Sequence, residues 1–228
     1  MGEMVNFGSK GGEWDGYLAK SQEGAPAVLV IQNWWGLVDH IKDVCERFAG
    51  EGFTALAPDL YHGETTEEPD EAGKLLIVLD TDRAVTEMSR AVAYLRGNGA
   101  SKVGCVGFGM GGALSLVVAT RSSIDVSVIY YGLPSPSTGA DDYSKLQGPV
   151  LGHFAEHDDW ESPTTPAEVF DLIHAGGQSA EMHVYEGTQH AFFNDSRPDV
   201  YDADAAAKSW ERTIEFFRAH LGSGGSGG

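Results

Sequence analysis

Apolar and polar residues along this 228-residue chain fall into short blocks that alternate between two periods. Six runs are continuously apolar or β-branched: residues 27–32, 54–57, 103–108, 126–131, 150–154 and 181–185. Their shortness and lack of alternation predict strands buried on both faces of a parallel sheet. Between them, apolar residues recur every three to four positions, which predicts helices over 38–50, 71–79, 82–96, 112–120, 163–175 and 203–220. In the last of these, Trp210, Ile214, Phe217 and Leu221 form one apolar stripe. Residues 5–7 and 14–18, separated by glycine-rich sequence, predict a small hairpin at one edge. Strands alternating with helices imply an α/β protein: a mostly parallel, doubly wound sheet flanked by helices, with right-handed crossovers. No internal repeat interrupts the pattern, so residues 1–221 are expected to form a single domain.

Composition narrows the partners. The 42% apolar content is that of a globular chain. Fifteen basic against thirty-four acidic residues give a net charge of −19. That field repels nucleic acid and anionic membranes, which leaves a small-molecule substrate or ligand as the expected partner. The acidity itself reads as a solvated surface, with salt adaptation as the other reading. No apolar run approaches the ~18 residues of a membrane span. Cys45 and Cys105 both sit in apolar patterns and are expected to be buried free thiols in a reducing cytoplasm. A monomer or weak homo-oligomer is expected. Residues 222–228, all glycine and serine, have the composition of an added flexible linker. A chain extended in this way is a candidate for engineered substitutions elsewhere.

Candidate chemistry centres on residues 104–112, Gly-Cys-Val-Gly-Phe-Gly-Met-Gly-Gly. A predicted strand runs straight into a predicted helix through Gly107-Phe108-Gly109-Met110-Gly111. That is the layout of the nucleophile elbow of α/β-hydrolases, in which a Ser or Cys sits on a sharp strand-to-helix bend. Here the central place holds Gly109, which carries no nucleophile. In such folds the acid follows the nucleophile and the histidine comes last. Asp158 and His190 occupy those places, each shortly after a predicted strand, with Asp159 as a competing acid. The alternative for this pair is a helix-capping Asp158 and a polar loop His190. Ser115 lies inside the following helix and offers no substitute nucleophile.

The loops that end the strands carry an unusual share of aromatic residues. Trp34, Trp35, Phe108, Trp160 and Phe193 fall in or beside them and are candidate ligand contacts, although aromatics of this kind also seal cores. His153, His157, Asp158 and Asp159 are the residues whose types could hold a metal. Their spacing fits no metal motif, so neither a metal nor another cofactor is expected.

Five segments then match one family in order: Gln-Asn-Trp-Trp-Gly-Leu (32–37), Ala-Pro-Asp-Leu-Tyr-His-Gly (57–63), Gly-Phe-Gly-Met-Gly-Gly (107–112), His-Phe-Ala-Glu-His-Asp-Asp (153–159) and His-Ala-Phe-Phe-Asn-Asp (190–195). From about residue 5 to residue 221 the chain resembles the dienelactone hydrolases, or carboxymethylenebutenolidases. The resemblance implies an α/β-hydrolase fold and ester or lactone hydrolysis through a Cys–His–Asp triad. That triad maps onto Gly109, His190 and Asp158. The glutamate that helps to set the thiol's charge state maps onto Asn33. The oxyanion hole maps onto the backbone N–H groups of Trp34 and Met110. Of the arginines that hold a substrate carboxylate, one falls on Asn194, and the region of the other is acidic around residues 67–71. The covalent route is therefore expected to be absent. Three outcomes stay open: an inactivated hydrolase, a pocket reused with Asp158–His190 as general base, and a binding protein without turnover.

Overall fold

The computed structural model describes residues 1–8, 14–135, 142–160 and 163–222. Eight strands form one sheet in the order β1-β2-β4-β3-β5-β6-β7-β8. They are β1 (Glu3–Asn6), β2 (Asp15–Ala19), β3 (Ala27–Ile31), β4 (Thr54–Pro58), β5 (Val103–Phe108), β6 (Val126–Tyr130), β7 (Val150–His157) and β8 (Ala180–Gln189). The β1–β2 and β2–β4 pairs are antiparallel, and every pair from β4 to β8 is parallel. The expected edge hairpin is therefore present, although residues 9–13 of its connection lie outside the described residues.

Side chains of the central strands alternate between two apolar layers. Ala27, Leu29, Ile31, Val103 and Cys105 face one layer, and Val28, Val30, Val106 and Phe108 face the other. The helices are α1 (Asp39–Gly50), α2 (Pro69–Val78), α3 (Thr81–Gly97), α4 (Met110–Arg121), α5 (Pro166–Ala175) and α6 (Ala203–Leu221). Those of α3, α4 and α5 cover the first layer, and α1 and α6 cover the second. Each start has a local cause. The Asp80 side chain accepts from the Arg83 N–H at the head of α3, and Asp202 does the same for Ala205 at α6. Thr165 and Glu168 form a reciprocal capping box. That box moves the start of α5 from the expected Pro163 to Pro166. Gly222, expected to open the linker, instead caps α6 at φ 88°, and residues 223–228 lie outside the described residues. Ile214, Phe217 and Leu221 of the α6 stripe are buried, and the Arg47 guanidinium lies 4.2 Å from the centre of the Trp210 ring. Both cysteines are free and buried, and burial pushes the Cys105 thiol up to about 12.

β7 and β8 run several residues past their apolar runs. The β7–β8 ladder passes an irregularity between Ala155 and His157, then pairs His157 with Gln189. β8 lies at the edge of the sheet and is mostly exposed, so its outer half carries no apolar signal. This extension matters most for the site, because it brings residues 158 and 190 to the same rim. Among the described residues, no helix is long and apolar enough to cross a membrane.

Candidate active site

The bend between β5 and α4 depends on tight backbone contact. A Cβ on Gly107 would run into the Gly111 carbonyl, and one on Gly111 would meet the carbonyls of Ile31 and Gln32. Gly109 sits between them at φ 55° and ψ −115°, a region that strains residues with a Cβ and suits glycine. Its N–H donates to the Tyr130 carbonyl at 3.0 Å, and its own carbonyl accepts from the Ala113 N–H at 3.2 Å. The turn therefore stays closed without a side chain. A Cβ built on Gly109 would meet one atom within 4 Å beyond its chain neighbours, His190 Nε2 at 3.5 Å.

His190 follows β8 directly. Its Nδ1 lies 2.9 Å from both carboxylate oxygens of Asp158, which follows β7. The two side chains are 28% and 26% exposed, so the pair faces a cleft rather than open solvent. Asp158 also accepts from the Trp160 N–H at 3.0 Å, which fixes the loop that carries it. It does not cap α5, and Asp159 makes no contact with the imidazole. With Nδ1 engaged by a carboxylate, Nε2 is the nitrogen left to act on a ligand.

The loop after β3 supplies the opposite wall. Asn33 is buried, and its side-chain oxygen accepts from the Trp35 N–H at 3.0 Å. Its NH2 group is thereby left as a donor at the cavity wall. Among the described residues, the backbone N–H groups of Trp34 and Met110 have no acceptor. The Met110 N–H also lies at the N-terminus of α4, where the helix dipole favours negative charge. Gly109, Asn33, Trp34, Met110, Asp158 and His190 all line one cavity of about 830 Å³.

The aromatic candidates divide. Trp34, Trp35 and Trp160 line the cavity. Trp160 stacks over His190 at 5.7 Å and meets Trp34 edge-on at 5.0 Å. Phe108 and Phe193 do not line it. They stack on one another at 5.3 Å, each about 1% exposed, within the aromatic core that includes Tyr130. Their side chains point into the layer under α1 and α6, a direction that position after a strand does not reveal. Asn194 reaches the cavity wall, but its side-chain oxygen is taken by the Ser196 N–H and hydroxyl. It holds its own turn together. His153 is fully buried, with its ring nitrogens on Tyr185 and Thr213, and among the described residues no group of three or more His, Cys, Asp or Glu side chains could hold a metal.

Tyr131 and Arg197 are polar cavity residues that sequence reasoning did not single out. Tyr131, just past β6, has φ 37° and lies 5.0 Å from the His190 ring. Burial, with Tyr130 and Asp158 nearby, holds its phenol well above the usual tyrosine value. Arg197 stands with its guanidinium 5.1 Å from the Trp35 ring centre and is paired with Asp199 at 2.9 Å. No motif marks either residue; a cation a few positions past His190 in so acidic a chain was the available signal for Arg197. A separate cavity of about 240 Å³ holds the buried Glu87 carboxylate, which meets Arg83 at 2.9 Å and His62 at 3.4 Å. None of the expected site residues lies there.

A mostly parallel eight-stranded sheet with a glycine-packed strand-to-helix bend and an Asp–His pair on the loops beyond it defines an α/β-hydrolase. Within that class the chain belongs to the dienelactone hydrolase family, whose sequence pattern matches residues 14–221. It is 36% identical to "Protein usf" of Aquifex pyrophilus over 97% of this chain and 100% of that protein. It is 32% identical to the "Probable 2-oxo-3-(5-oxofuran-2-ylidene)propanoate lactonase" of Bradyrhizobium sp, covering 96% of this chain and 94% of that one. Among solved structures, a chain from Klebsiella pneumoniae superimposes with a TM-score of 0.86 at 24% identity, over 96% of this chain and 99% of that one.

Proposed function

We propose that the chain is a dienelactone-hydrolase scaffold whose nucleophile position is held by Gly109 and whose partner position is held by Asn33. In this reading the pocket is reused for hydrolysis of neutral esters or lactones by water. The observation that carries it is the free Nε2 of His190, backed by Asp158 and facing the open space at Gly109. A water beside Nε2 gives up a proton to it and attacks the carbonyl carbon of a bound ester. The oxyanion meets the Trp34 and Met110 N–H groups and the Asn33 NH2 group. The imidazolium then returns its proton to the leaving oxygen as the C–O bond breaks. Asp158 holds the imidazole in one tautomer throughout. Glycine and asparagine replace two groups of a single covalent mechanism, so their joint presence supports a concerted change that leaves the base in place.

A neutral substrate suits the wall. Three tryptophans face the cavity, and Arg197, the wall's cation among the described residues, is already engaged by Asp199 and Trp35. The field of a strongly acidic chain disfavours an anion further. The cluster of tryptophans also supports a second reading, a small-molecule binding protein without turnover.

One set of measurements separates these readings. Activated aryl esters should turn over without an acyl-enzyme burst, and mass spectrometry should find no adduct at residues 107–111. Gly109→Cys combined with Asn33→Glu should restore the burst. A stoichiometric adduct on the unaltered chain removes the assignment of Gly109. Ligand binding that is lost with Trp34→Ala, but without turnover in any variant, favours the binding protein.

A further inference from the structure

The wall of the large cavity changes character from one set of elements to another. Asp158, Trp160, His190, Asn194 and Arg197 come from the loops that follow β7 and β8. Ala113 and Leu114 come from the first turn of α4, Leu76, Ile77 and Leu79 from the end of α2, and Leu133 from the loop after β6. The side chains of these last six are wholly hydrocarbon. Leu79, Met110 and Leu133 pack against the same apolar layer that contains Leu114, so this part of the wall is continuous. Positions 110, 113 and 114 share one face of α4. The hydrocarbon wall therefore begins at the Met110 N–H and runs roughly one turn, about 5.4 Å, along the helix. On the α2 side it is not committed to the core. Ala72 is the buried residue of that helix, and Ile77 is 84% exposed although it lines the cavity. A large aliphatic side chain left to water at a cavity rim gains when an apolar ligand reaches and covers it.

We propose that the wall formed by α4, α2 and Leu133 is an acyl-chain subsite, and that the substrates are neutral esters of straight, medium-length alkanoic acids. The inference rests on the reading of His190 as a general base, which decides the end of the ester that lies here. The leaving oxygen takes its proton from His190 Nε2, so the alcohol part stands beside His190 and the Trp160 ring stacked on it. The carbonyl oxygen meets the Trp34 and Met110 N–H groups. The acyl chain then continues on the side away from His190, over Ala113 and Leu114 and towards Leu79 and Ile77. A cavity of about 830 Å³ has room for such a chain, since volumes of this order hold drug-sized molecules. The acid released is an anion, which a hydrocarbon wall and a chain of net charge −19 both disfavour, so the product is expelled.

Two series on the unaltered chain test this. Phenyl acetate, butanoate, hexanoate and octanoate report turnover, and the matching primary amides, neutral and stable, report binding through tryptophan fluorescence. A fully buried CH2 group strengthens binding by about fourfold. Against a wall open on one side about twofold is expected, so octanamide should bind at least about tenfold more tightly than butanamide. The kcat/KM values of the phenyl esters should rise in parallel. Ile77→Asp, at an exposed position where folding is not at stake, and Ala113→Trp, which fills the first turn of α4, should each flatten the gradient in both series. A gradient that survives both variants overturns the subsite. So does a gradient along alkyl acetates, whose chain lies in the alcohol, that falls in the same two variants. A flat series with His190-dependent hydrolysis overturns the subsite and leaves the base reading intact. An amide gradient that both variants remove, without hydrolysis of any ester, supports the apolar subsite and removes the base reading. If the series are flat and no ester turns over, both fall.

Discussion

Two histidines on the β7–β8 side of the sheet end in opposite situations. His153, inside β7, is fully buried, with Nδ1 2.9 Å from the Tyr185 hydroxyl and Nε2 3.0 Å from Thr213 Oγ1. Burial, with His183 and Arg212 nearby, holds its pKa well below the ordinary imidazole value. His190, one residue past β8, has an oxygen partner on Nδ1 only and presents Nε2 to the cavity. Both rings are stacked, His153 on His183 at 5.9 Å and His190 under Trp160 at 5.7 Å. Stacking therefore does not distinguish them. The difference is one unsatisfied nitrogen. A histidine whose two nitrogens are matched contributes rigidity, and one with a nitrogen to spare can move a proton.

That contrast can be broken by mutation. The largest effect is expected from His190→Ala, which should lower turnover of a neutral aryl ester by roughly 10²–10⁴-fold, the range of a positioned base. Its thermal midpoint should move little, because one partly exposed hydrogen-bonded pair is lost. Turnover unchanged in this variant would remove the Asp158–His190 pair from the reaction. His153→Ala should do the opposite, costing about 2–4 kcal/mol in denaturant titration through a cavity and the loss of two buried hydrogen bonds. Its activity per folded molecule should stay near that of the parent. A large loss of activity without loss of stability would contradict the structural role.

Smaller effects sharpen the same contrast. Asn33→Ala removes a donor at the cavity wall and should lower turnover by up to about 10²-fold; it also takes the acceptor from the buried Trp35 N–H, at a cost of roughly 1–3 kcal/mol. A fall in binding of a neutral product by the same factor would instead make Asn33 a ground-state contact. The smallest effect concerns pH. Folding lowers the pKa of both His153 and His40, so the unfolded chain takes up protons that the folded protein refuses. Stability should thus hold above the ordinary value of 6.5 and fall as pH drops below it, by about 1.4 kcal/mol per pH unit for each proton involved. His153→Gln should flatten that slope, and an unaltered slope would assign it elsewhere.

Much of this was legible in the sequence, for local reasons. Continuous apolar runs marked the buried parallel strands, and residues 103–108 coincide with β5. The close spacing of Gly107, Gly109 and Gly111 marked a bend in which backbones touch, and the order of Asp158 and His190 after it marked the rim on which they lie. Sequence periodicity reports how each residue is solvated, and that sufficed for the elements and the layers. It does not report which edge strand pairs with which, nor where a side chain beside a strand end points. The His157–Gln189 pairing past an irregular step, on an exposed strand with no apolar signal, sets Asp158 against His190. The same limit hid Phe108 and Phe193 in the core and left Tyr131 and Arg197 unnoticed at the cavity. Those positions follow from contacts between segments far apart in the chain, whose energies depend on packing in three dimensions and leave no local pattern in the residues that make them.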